Sequence, residues 1–199
     1  MMKQTLDRRS KGNKLEKVAK HVCHEIKMLI FSAEHVGGCH ASPVVTPQGD
    51  EKNMALESFL LHFRNLRVFL CPSLQEGNVF PDDVLASDFT GKFDCSDVGD
   101  KTKFPPEEQK RLNKMLTHIS YKRPDYEPRD YQWDTSEMLI RMLDELQRFV
   151  GTLTQEQRSW FPSADELKQV QARTLTEIEM RGSVSNSTVT GRPFRWNLE

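Results

Sequence analysis

No run of this 199-residue chain is apolar for anything near the roughly eighteen residues that cross a bilayer, and its apolar stretches are as short as Met28 to Phe31. No apolar h-region follows the charged N-terminus, so neither a membrane span nor a secretory signal is expected. Cysteine is sparse. Cys23, Cys39, Cys71 and Cys95 are irregularly spaced and include no C-x₂-C pair, which argues against a secreted disulfide framework and for a reducing, cytoplasmic setting. The chain also lacks a glycine-rich phosphate loop, a G-x-S-x-G elbow, an H-E-x-x-H pair and any repeat period, which removes several large enzyme classes. An excess of one charge is missing too. A formal net charge of −1 excludes a globally basic nucleic-acid binder.

What the chain does contain is helical periodicity. Strand-like alternation is scarce, and the pattern predicts an all-α helical bundle of about five main helices, near residues 13–36, 51–70, 105–122, 135–151 and 164–180. Leu15, Val18, Val22, Ile26, Leu29 and Ile30 line one side of the first helix, which the pair Gly37-Gly38 stops. Asp50 or Asn53 is expected to cap the second. That helix carries Leu56, Phe59, Phe63, Leu66 and Leu70 as one stripe with Leu60, Leu61 and Val68 elsewhere around it, and a helix apolar on nearly all sides belongs at the centre. Residues 71–104 read as a long connection holding one short helical candidate, PDDVLASDF. Pro105-Pro106-Glu107-Glu108 opens the third helix, with proline tolerated in the first turn and carboxylates at the positive end of the dipole. Capping boxes open the remaining helices at Asp134–Glu137, Thr154–Gln157 and Ser163–Glu166.

One domain over residues 1–180 follows, with a basic N-terminal arm and a polar tail at 181–199 that lacks the apolar content to fold alone. The arm holds Lys3, Arg8, Arg9, Lys11, Lys14, Lys17 and Lys20 against Asp7 and Glu16, the composition of a solvated face or of a contact for an acidic partner.

Chemistry and core coincide on the second and third helices. Glu57, His62, Arg64 and Asn65 stand on one, and Arg111, Asn113 and His118 on the other, with Arg123 just beyond. Polar groups on core helices must find partners or cost a few kcal/mol, so they have a structural or a functional reason to be there. Ser58, His62 and Asn65 share one strip and Glu57 and Arg64 another. His62, beside the Phe59/Leu66 edge, is expected to be buried and to fasten helices together. Seven residues separate Arg111 from His118, which returns them to one side of their helix.

A grouping of His21, Cys23, His24, His35, Cys39 and His40 has metal-ligand chemistry without metal-ligand spacing: His21 and His24 share a face while Cys23 points elsewhere. No metal and no small-molecule cofactor is expected. The run YKRPDYEPRDYQWD interleaves its three tyrosines and Trp133 with Lys122, Arg123 and Arg129, a mixture that stacks and neutralises single-stranded RNA. Asp125, Glu127, Asp130 and Asp134 cancel much of that charge, which favours a loop packing its aromatics on the bundle.

Arg111 and His118, six residues between them on a helix of an all-α protein, resemble the R-x(4–6)-H signature of the HEPN superfamily of small helical bundles. HFRNLRVFL, PDDVLASDF and NKMLTHISYKR, in that order, are similar to an uncharacterised bacterial group of HEPN-like domains. The resemblance covers about residues 50–125. It implies either a metal-independent ribonuclease that acts as a dimer, with Arg and His meeting at the interface, or a non-catalytic binder of RNA or protein. Leu112 stands where the nucleases commonly carry a polar residue, and Tyr121 lies three residues past His118 rather than two, so the signature is incomplete. The expectation is therefore a non-catalytic helical interaction module, RNA- or protein-binding in a defence or regulatory system and able to form a homodimer. The alternative is a HEPN-type endoribonuclease with His118 as general acid/base and Arg111 as charge stabiliser.

Overall fold

A computed structural model describes residues 8–37, 49–72, 80, 82–93, 95, 104–114 and 133–185. Among them every regular element is helical, and the protein is an all-α bundle. Its helices are α1 (Arg8–Gly37), α2 (Asp50–Leu70), α3 (Ala86–Thr90), α4 (Pro106–Leu112), α5 (Thr135–Thr152), α6 (Gln155–Arg158) and α7 (Ala164–Ser185).

Helix α1 starts five residues before the expected Asn13. Arg and Lys are good helix formers, and Gly12 costs only about 1 kcal/mol in a helix interior, so Arg8, Arg9 and Lys11 of the basic arm lie within the helix. Its buried face is Ala19, Val22, Ile26, Leu29, Ala33 and Val36. Helix α2 is capped differently from expectation. Gly49, at φ 64°, is the N-cap, Asn53 donates its backbone N–H to the Gly49 carbonyl at 3.2 Å, and Asp50 lies inside the first turn, where its charge favours the dipole.

The α2 stripe is in the core as its spacing predicts. Leu56, Phe59, Leu60, Phe63, Leu66 and Leu70 are all buried, each such side chain contributing about 1.5–3 kcal/mol. Helix α2 packs against α1, α3, α4 and α5 and is the central element. It is not enclosed on every side, because Leu61 and Met54 remain 43 % and 68 % exposed.

Hydrogen bonds fix the register of α1 and α2. Ser32 Oγ donates to Ser58 Oγ at 2.8 Å and Asn65 Nδ2 donates to Glu25 Oε2 at 3.1 Å, so going down α1 means going up α2 and the two are antiparallel. Helix α5 packs on α7 and also on α1 and α2. Asp134 accepts the Glu137 N–H at 2.9 Å to start α5, and Ser163 and Glu166 cap α7 reciprocally. Helix α7 runs to Ser185, five residues past the expected end, so the first residues assigned to the tail continue the helix. Only the first part of the third expected helix, through residue 114, is described.

At one end of the bundle Phe69, Phe89, Phe93, Phe149 and Phe161 form an aromatic cluster whose rings meet edge to face at 5.2–6.0 Å. Phe89 comes from the short helix in the long connection, which is how that connection is held to the bundle. The Cys71–Cys95 disulfide closes the same segment, with Cα atoms 5.0 Å apart.

Candidate functional site

Three polar arrangements surround α2. The first lies along its seam with α1. His62 Nδ1 is 2.7 Å from Glu25 Oε2, and that same oxygen accepts from Asn65 Nδ2. The Ser32–Ser58 bond continues the strip. A carboxylate at Nδ1 orients the imidazole, and the ring of the exposed His24 stands nearly perpendicular to it with centroids 6.1 Å apart. His62 is 9 % exposed.

The second arrangement joins α2 to α4. Arg67 is 2 % exposed and belongs to the apolar stripe by its spacing from Phe63 and Leu70. Its guanidinium donates to Gln109 Oε1 at 2.6 Å, to the Phe104 carbonyl at 3.0 Å and to the Pro105 carbonyl at 3.4 Å, and it lies 5.7 Å from the Phe104 ring centroid. Burial pushes its pKa down to about 10; neighbouring Glu108 raises it and Arg141 lowers it. Gln109 also donates to Asn113 Oδ1 at 3.1 Å, and that oxygen accepts from Arg64 Nε at 2.9 Å. Arg64, Asn113, Gln109 and Arg67 therefore form one chain of bonds across two helices. Glu108 carries the contact onward to Arg141 of α5 at 2.7 Å.

The third is the stack of Arg111 on Trp133, with the guanidinium carbon 3.6 Å from the ring centroid. This ties the end of α4 to the segment that enters α5, two residues before its first turn.

Of the residues singled out in the sequence, His62 and Asn65 meet at Glu25, and Arg64 and Asn113 meet each other. Arg111 lies on Trp133, and Glu57 is exposed. His118 and Arg123 lie outside the described residues, as do Cys39 and His40. Among the described residues no group of three or more His, Cys, Asp or Glu side chains is placed to hold a metal ion. Cys23 donates its thiol to the Trp160 carbonyl at 2.9 Å, and burial raises the pKa of that thiol.

Sequence reasoning missed Glu25, Arg67 and Gln109. Arg67 had a usable signal, a cation at a stripe position that only a buried set of acceptors could tolerate. Glu25 had none beyond its place at the edge of the α1 stripe, because its partners are 37 and 40 residues away.

No family model, no curated protein and no solved structure matches this chain.

Proposed function

We propose that this chain is a non-catalytic helical interaction module, HEPN-like in its middle portion. The observation that carries the reading is where the polar side chains of α2 go. His62, Arg64, Asn65 and Arg67 each bond to another helix or to the segment leading into one, and the partner groups are consumed in the same bonds. Catalytic groups converge on a place where a reacting atom can sit. These diverge from α2 to α1 on one side and to α4 on the other. The Arg111–Trp133 stack supports the same reading, since it gives that guanidinium a packing partner.

The test is incubation of the purified full chain with single-stranded and with structured RNA, with and without EDTA, beside a His118→Ala variant. The expected result is no cleavage that His118→Ala removes. Metal-independent cleavage that disappears in His118→Ala at an unchanged melting temperature would overturn the reading in favour of an endoribonuclease using Arg111 and His118.

A further inference from the structure

We propose that the module docks a helix of another protein along the outward face of α2. This rests on the interaction-module reading. Asp50, Met54, Glu57, Leu61, Arg64 and Val68 follow one another at intervals of four and three, the spacing of a seam at which two helices lie side by side. At about 100° per residue the six fall within a sector of about 80°, over a length of about 27 Å. Ser58, His62 and Asn65 bond to α1 on one side of that sector and Arg67 bonds to α4 on the other, so the row stands between the two neighbours.

The row has two lines of different chemistry. Met54 and Leu61, 68 % and 43 % exposed, and the half-buried Val68 recur every seven residues as an apolar line. Asp50, Glu57 and Arg64 recur beside it as a charged line, acidic toward the start of α2 and basic toward its end. Arg64 supplies the specificity. Its Nε donates to Asn113 Oδ1 at 2.9 Å, and that oxygen is also held by Gln109, which accepts from the buried Arg67. Among the described residues nothing bonds its Nη1 or Nη2, so the guanidinium is oriented through one nitrogen and presents the other two as the paired donors that a carboxylate accepts. Its ordering is already part of the fold, so binding it costs little further side-chain freedom.

The charges define the occupant. An acidic side chain fits opposite Arg64 and lysine or arginine opposite Glu57 and Asp50, on a helix whose own apolar line covers Met54, Leu61 and Val68. A nucleic acid would meet Asp50 and Glu57 as repulsion, and an anionic bilayer would find Arg64 as the one cation in the row.

The test is titration of the full chain into fluorescently labelled helical peptides of about 21 residues, read by anisotropy. The matched peptide carries Lys, Leu, Lys, Leu, Glu and Leu at the intervals of the α2 row, and the reversed peptide exchanges Lys and Glu. The matched peptide is expected to bind at least about ten-fold more tightly than the reversed one, and more weakly at high salt. Leu61→Glu, at an exposed position, should weaken it at least about ten-fold. Glu57→Lys, also exposed, should weaken the matched peptide and favour one whose facing Lys is replaced by Glu. Arg64→Lys, which keeps the charge and loses the bond to Asn113, should weaken binding as well. Peptides that do not bind, that bind alike, that tolerate Arg64→Lys, or that Glu57→Lys does not redirect would each overturn the proposal. So would displacement of the matched peptide by single-stranded RNA, or a chain that self-associates through Leu61 and excludes the peptide. Absence of peptide binding without RNA cleavage defeats the docking and leaves the module reading standing, whereas cleavage that depends on His118 defeats that reading whatever the peptides do.

Discussion

Arg67 is a buried cation and shows how the core accommodates one. A guanidinium with almost no contact with water persists only because it is offered acceptors on several sides, and here Gln109, Phe104 and Pro105 supply them. Its pKa falls from the ordinary arginine value to about 10, so the folded state binds fewer protons than the unfolded state between those two values. Stability from this group therefore rises as pH rises through that window, and at neutral pH the charge is a cost that the three acceptors offset. Arg67→Met should lower the unfolding free energy by about 2–4 kcal/mol, since it strands Gln109 Oε1 and two carbonyls away from water. Urea unfolding that finds less than about 0.5 kcal/mol would show those acceptors to be satisfied without it. The helical pattern of the sequence contains the inward position of Arg67, between Phe63 and Leu70, although that signal was missed. What it lacked was any local sign of Gln109, 42 residues away, as the partner.

The helices themselves were readable because their signals are local. Asp134 and Glu137, Thr154 and Gln157, and Ser163 and Glu166 are three residues apart, and the bonds they form close within one turn. Where the ends differ from expectation, at the start of α1 and the end of α7, the sequence carries no such capping box. The Glu166 carboxylate is held below its usual range first by the backbone N–H of Ser163 and then by its hydroxyl. Such a depressed carboxylate contributes stability above its unfolded pKa of about 4.3 and loses it as pH falls through the folded value. The start of α7 should thus fray on acidification below about pH 4, seen as a fall in far-UV helical signal that Glu166→Gln removes. A helical signal with the same acid profile in both proteins would contradict this role for the cap.

At the scale of the molecule, α2 is fastened to α1 by Glu25, His62, Asn65 and the serine pair. It is fastened to α4 by the Arg64–Asn113–Gln109–Arg67 chain, and to the connection after it by Cys71–Cys95. The all-α class was legible in the sequence because periodicity averages over many residues. Pairings were not. Cys71 and Cys95 stand 24 residues apart with no motif between them, and irregular spacing argued against a disulfide framework; the single bond between them follows from the segment that holds α3 folding back on the end of α2. His62 was legible as a fastener but not its partner, since α1 and not α4 supplies it. The central claim is that these polar groups hold the bundle together, and a double-mutant cycle on Glu25 and His62, read by urea unfolding, tests it most directly. His62→Ala should cost about 1–3 kcal/mol, with an interaction energy between the two sites of about 0.5–3 kcal/mol. Strictly additive losses, or variants as stable as the parent, would contradict it.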